Sequence, residues 1–169
     1  MSNGKNNLYK YLTIGNMIGS GQWGNVYDGC IPINNKCTTN SYKFAIKMGR
    51  IEPISLKNIY NPFDYSWHEV LIMKNILSLI VEQNICPNVP LLIDSFICNK
   101  CSFIFNDNKR EEHPCIIMIT ELAGGDFDHF MEYNPSEDEI YSSLFQIMAG
   151  IHAIQGFGQI MNYDIKGAN

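Results

Sequence analysis

Three glycines, Gly19, Gly21 and Gly24, fall within six residues of the run Gly19-Ser20-Gly21-Gln22-Trp23-Gly24-Asn25-Val26. The flanks decide what such a run can be. Leu12, Ile14 and Ile18 before it, and Val26, Tyr27 and Ile31 after it, read as the two arms of a β-hairpin over residues 11–31. A dinucleotide-binding glycine loop must open into a helix, and this one opens into a strand. Glycine lets backbone N–H groups lie close over a bulky anion such as a phosphate, because no Cβ blocks the approach. Taken alone, the run also fits a plain glycine-rich β-turn.

The rest of the chain constrains the fold further. Residues 1–10 are polar and expected to be loose, and residues 32–41 read as a polar loop. Tyr42 to Met48 reads as a third strand, with Phe44 and Ile46 on one face and Ala45 and Lys47 on the other. An irregular stretch with Pro53 and Pro62 precedes a helix over about 65–81, whose apolar stripe is Trp67, Val70, Leu71, Ile76 or Leu77, and Ile80 or Val81. Two more strands follow near 91–105 and 115–121, joined by a charged tip at 106–113. Gly124-Gly125 precedes a short helix from about Asp126. Ser136 and Glu139 have capping-box spacing at the start of a longer helix, apolar along Ile140, Leu144, Ile147, Met148, Ile151 and Ile154, which Gly156 and Gly158 should end. The order β-β-β-α-β-β followed by helices predicts an α+β fold, a five-stranded antiparallel sheet lobe with one main helix and then an incomplete helical lobe.

Composition excludes several function classes. The 169 residues are 46% hydrophobic and 17% charged, enough for a packed domain. A net charge of −5 argues against binding a phosphate backbone, so no nucleic-acid partner is expected. The polar start Met1-Ser2-Asn3-Gly4-Lys5 is not a secretory signal, no apolar run reaches the roughly 20 residues of a membrane helix, and Ser2 replaces the glycine that myristoylation needs. The expectation is an intracellular, cytoplasmic protein with no membrane partner. Abundant Asn and Ile with scarce Ala point to an AT-rich source, such as a parasite, a protist or a large DNA virus acting in a host cell.

Two further motifs carry chemistry. Lys47 ends the strand Phe44-Ala45-Ile46-Lys47 on the face of small Ala45, where it could bind phosphate oxygens as a point charge. A lone surface lysine is the plainer alternative. A lysine in a cleft needs a counter-charge. Glu69 is the leading candidate, although Ser66 and Glu69 also match a capping box that would occupy it, and Glu82 is the fallback. Near the end, Asn162-Tyr163-Asp164-Ile165-Lys166-Gly167-Ala168-Asn169 holds D-x-K-x-x-N. In phosphoryl transfer a carboxylate can orient a hydroxyl, a lysine can neutralise the moving phosphoryl group, and an amide oxygen can hold magnesium.

In this order, the three motifs resemble the eukaryotic-type protein kinase family, serine/threonine group, from about Tyr11 to Asn169. Ile117-Met118-Ile119-Thr120-Glu121-Leu122-Ala123-Gly124-Gly125-Asp126 is similar to that family's adenine strand and hinge. The resemblance implies an N-lobe over 11–121, then a hinge and the start of a helical C-lobe over 122–169. It implies ATP and Mg2+ as cofactors and a protein substrate. It makes Ile18, Val26 and Ala45 the roof of the base pocket, with Gly19, Gly21 and Gly24 over the phosphates. Thr120 becomes the gatekeeper, and the backbones of Glu121 and Ala123 hold the base. Asp126 contacts ribose, with Asp128 as rival because the hinge is one residue short. Lys47 binds the α/β-phosphates and pairs with Glu69; Asp164 is the catalytic base, Lys166 serves the γ-phosphate, and Asn169 binds magnesium.

Departures from the pattern matter too. Asn162-Tyr163 replaces the usual His-Arg, so control by activation-loop phosphorylation is not expected. The gap between Lys47 and Glu69 is long and implies an insertion. The Asp-Phe-Gly metal ligand would follow Asn169. The expectation is therefore a partial kinase domain that phosphorylates Ser/Thr, with a catalytically inactive nucleotide-binding or interaction module, pseudokinase-like or a split remnant, as the alternative. A small-molecule kinase is a third reading. The long helix should expose its apolar face or cover it with a partner or a second copy.

Six cysteines without a secretory signal read as reduced thiols. Cys98-x-x-Cys101 and His113-x-Cys115 have zinc-like composition, yet match no common finger, and ordinary thiols on two strands are the plainer reading. A cross-strand disulfide is the least expected state.

Overall fold

The computed structural model describes residues 12–21, 24–104 and 110–160. Five strands, β1 (Thr13–Gly21), β2 (Gly24–Cys30), β3 (Lys43–Arg50), β4 (Leu92–Ile104) and β5 (Arg110–Glu121), form one sheet in the order β1-β2-β3-β5-β4. Neighbours among β1, β2, β3 and β5 run antiparallel. Strand β5 begins at Arg110, inside the stretch expected as the hairpin tip. Near its charged start Lys100 forms an ion pair with Glu112 at 3.2 Å, and His113 is hydrogen-bonded to the Glu111 carboxylate at 2.9 Å.

The alternation read in β3 becomes packing. Phe44 and Ile46 enter a core with Cys101, Phe103, Cys115, Ile117 and Ile119, while Ala45 and Lys47 stay half-buried on the opposite face. Burial of these apolar side chains is the main stabilising term for the sheet.

The expectation of six free thiols is corrected. Cys30 is bonded to Cys37 and Cys101 to Cys115, with Cα–Cα separations of 6.0 and 5.9 Å. Both lie in the range a disulfide spans without backbone movement. Among the described residues, Cys86 and Cys98 remain free.

Two compact units divide the chain. One runs to His68 and resumes at Ile93–Leu122; the other comprises Glu69–Leu92 and the chain from Ala123. In the first, Trp67 is fully buried, its indole N–H donating to the Ser55 carbonyl at 3.3 Å and its ring 5.2 Å from that of Tyr60.

The expected helix over 65–81 is built in three parts: α1 (Tyr65–Ile72), a π turn at Met73–Leu77, and α2 (Ser78–Glu82). The Ser78 hydroxyl donates to the Met73 carbonyl at 2.9 Å, five residues back, and so serves the wide turn. The stripe is resolved as Val70, Met73, Leu77 and Ile80, all buried, and Leu71 is only half-buried.

Further on come α3 (Phe127–Glu132) and α4 (Glu137–Gly158). The expected capping box forms: Ser136 accepts from the Glu139 N–H, and the Glu139 carboxylate accepts from the Ser136 N–H. Helix α4 continues through Gly156 to Gly158, and Gln159 takes the left-handed cap. At Gly150 a Cβ would collide with the Asn88 carbonyl oxygen, so glycine there permits close approach of helix and loop. Leu144, Ile147 and Met148 are 40%, 39% and 60% exposed. No helix among the described residues is long and apolar enough to cross a membrane.

Candidate functional site

Strand register brings several of the expected site residues onto one sheet face. Gly19 pairs with Val26, Val26 with Lys47, and Lys47 with Met118. The adjoining row is Asp28, Ala45 and Thr120. Directly paired residues in an antiparallel ladder share a face, and so do residues two apart on one strand. Gly19, Val26, Ala45, Lys47 and Thr120 therefore lie on one face of one sheet, opposite Phe44 and Ile46. Met118, 1% exposed, closes this face beside Lys47. The register of β1 slips between Met17 and Gly19, which leaves Ile18 at a bulge and 52% exposed.

The three glycines differ in what they require. Gly24 has φ +154°, and a Cβ there would collide with the Met48 carbonyl oxygen. At Gly19 the nearest atom to an added Cβ is the Val26 Cβ at 3.7 Å, and at Gly21 nothing lies within 4 Å. Of these three glycines, packing among the described residues demands glycine only at Gly24. At Gly19 and Gly21 the described residues leave space for an added Cβ, as close approach of a phosphate would also require.

Two aspartates have surroundings that the motifs do not describe. Asp126 is the N-cap of α3, its carboxylate accepting from the His129 N–H at 2.8 Å, while Asp128 is exposed in the first turn. Sequence reasoning missed Asp28: its Oδ1 is buried, has no hydrogen-bond partner among the described residues and lies against Gly15, on the Ala45 face. An aspartate inside a strand carries no motif, so only the register could find it.

The rival account of Glu69 is corrected. Helix α1 starts at Tyr65, so Ser66 lies inside it and cannot be its cap. Asp64 takes that place and accepts from the Ser66 N–H at 2.9 Å. Hydrogen bonds from the Ser55 hydroxyl and then the Ser66 N–H hold the Asp64 carboxyl below the usual carboxylate range. Glu69 is exposed, as is Glu82 at the end of α2. Thr120 is half-buried, its hydroxyl donating to the Glu121 carbonyl at 3.2 Å; Glu121 and Ala123 are exposed. Gln22, Trp23, Asp164, Lys166 and Asn169 lie outside the described residues.

The sulfurs of Cys98, Cys101 and Cys115 lie within 4.8 Å of one another. With Cys101 bonded to Cys115, one thiol remains, and His113 is engaged by Glu111 at 2.9 Å. In this state the group lacks the four donors of a structural zinc site.

Comparison with known proteins gives the class. A relative from Invertebrate iridescent virus 6, named a probable serine/threonine-protein kinase, 380R, is 32% identical over 177 positions, covering 100% of this chain and 31% of its own length. Another, 019R of Frog virus 3 (isolate Goorha), carries a candidate serine/threonine-protein kinase name and is 26% identical over 162 positions, covering 91% of this chain and 18% of its own length. No family model matches the chain. Over the whole of this chain the similarity is to proteins named as serine/threonine-protein kinases, the family that its motifs resemble. The chain spans under a third of the length of each of these two viral relatives.

Proposed function

We propose that this chain is the ATP-binding part of a protein kinase that transfers the γ-phosphate of Mg-ATP to serine or threonine hydroxyls of proteins. The observation that carries the reading is the register of Gly19, Val26, Lys47, Ala45 and Thr120 on one sheet face. An anion-binding lysine, an uncluttered glycine strand and small Ala45 beside it suit a triphosphate joined to a flat base.

Within this reading, Lys47 binds the α/β-phosphates with Glu69 as its counter-charge. Ile18, Val26 and Ala45 cover the base. Thr120 stands behind it, and the backbones of Glu121 and Ala123 hold its edge. Ribose is left to Asp126 or Asp128; because capping occupies Asp126, Asp128 gains weight. When bound, magnesium neutralises the phosphate charge, and Asn169 would be its ligand. Asp164 takes the proton of the attacking hydroxyl, and Lys166 steadies the phosphoryl group as it moves.

Phosphotransfer from labelled ATP to a generic protein substrate tests the reading, using the natural full-length polypeptide. Asp164→Asn should reduce turnover about 10²–10⁴-fold, the usual worth of a positioned general base, while leaving nucleotide affinity near its starting value. Unchanged turnover in Asp164→Asn overturns the assignment. ATP binding without any turnover by the unaltered protein would favour the inactive nucleotide-binding module.

A further inference from the structure

Cys98 and Cys101 are three apart on β4, which in an unbroken strand puts them on opposite faces. Yet Cys98 packs against the same core as Cys101, and its sulfur lies within 4.8 Å of both sulfurs of the Cys101–Cys115 bond. The alternation is therefore broken between them, and consecutive exposed residues, Asn99 and Lys100, mark the break. The two bonded cysteines are buried, whereas the Cys98 thiol is half-buried and donates to the Lys100 carbonyl at 3.3 Å. A free thiol thus stands beside a closed disulfide, with access to solvent that the disulfide lacks.

We propose that Cys98 is an exchange partner of this disulfide, so that the bond between β4 and β5 moves between Cys101–Cys115 and Cys98–Cys115. The Cys98 thiolate attacks the Cys115 sulfur, a Cys98–Cys115 bond forms, and the Cys101–Cys115 bond breaks. Its electron pair leaves on the Cys101 sulfur, which takes up the proton Cys98 gave away. One disulfide and one thiol are present before and after, so no outside oxidant or reductant is needed. Attack on Cys115, whose sulfur lies within 4.8 Å of the Cys98 sulfur, is the direction that keeps a bond between the two strands. The exchange moves the cross-strand tie three residues along β4 while keeping it intact. Cys115 pairs with Arg50 of β3, so the strand bearing Lys47 borders the movable bond.

Peptide mapping by mass spectrometry under non-reducing conditions reads the bond directly. Trypsin cuts after Lys100, which separates Cys98 from Cys101, and after Lys109 and Arg110, which separates both from Cys115. The unaltered protein, isolated without reductant, held at mildly alkaline pH and then alkylated, should yield both the Cys101–Cys115 and the Cys98–Cys115 pairs. The approach to that mixture should quicken as pH rises, because the thiolate is the attacking species. Cys98→Ser should give Cys101–Cys115 alone, and Cys101→Ser should give Cys98–Cys115 alone. Recovery of only Cys101–Cys115 from the unaltered protein after long incubation overturns the proposal. So does alkylation of all three cysteines in the unreduced protein. The unaltered protein decides the matter even if a variant folds poorly.

Discussion

Gly24 combines a φ of +154° with a Cα so close to β3 that a side chain would strike the Met48 carbonyl, whereas Gly19 and Gly21 leave room for one. A single substitution series should separate the two kinds of requirement. Gly24→Ala should destabilise the protein by about 1–3 kcal/mol, through a strained backbone and a displaced strand. Gly19→Ala and Gly21→Ala should leave the Tm nearly unchanged and weaken nucleotide binding instead. Thermal melts and nucleotide titration of the same three proteins check this. A large Tm loss in Gly21→Ala would contradict it. From sequence alone the three glycines look equivalent, since a motif records spacing and not which backbone lies opposite.

Helix starts show what local sequence can and cannot convey. The Ser136–Glu139 box was legible because both partners belong to one turn. The same spacing at Ser66 and Glu69, the rival reading there, does not form a box, because Asp64, two residues before Ser66, takes the cap and accepts from the Ser66 N–H and the Ser55 hydroxyl. Hydrogen bonds from Ser136, chiefly its hydroxyl, keep the Glu139 carboxyl below its usual range. A lowered folded-state value means the contribution is complete above about pH 4.3, the ordinary glutamate value, and is lost as pH falls through the folded one. Ser136→Ala should lower the Tm by about 2–4 °C at neutral pH. It should also flatten the loss of stability between about pH 4.5 and 3 relative to the unaltered protein. Parallel acid-dependent melts measure both effects, and identical curves would contradict the capping account. The π turn at Met73–Leu77 was not legible at all. An apolar stripe tolerates one extra residue, and a buried serine, Ser78, gives no outward sign of the carbonyl it serves.

At the scale of the molecule, the sheet was the readable part. Five strands, their alternation in β3 and the placing of Lys47 opposite the core all follow from period-two patterning and glycine punctuation. The Cys101–Cys115 disulfide was not readable, since the two cysteines are 14 residues apart in sequence and meet only through the pairing of β4 with β5. Asp28 joins the Ala45 face for the same reason, by register and not by motif. The glycine strand, Lys47 and Ala45 form one surface only after β1, β2 and β3 are zipped together, so the proposed nucleotide site is a property of the sheet and not of one motif. Mg-ATP affinity of the unaltered protein and of Lys47→Met, measured by calorimetric titration with the fold checked by circular dichroism, tests that claim most directly. Loss of a charged contact worth about 1.5–3 kcal/mol predicts binding weaker by about 10–150-fold with the sheet intact. Equal affinity in the two proteins, or no Mg-ATP binding by the unaltered one, would contradict it.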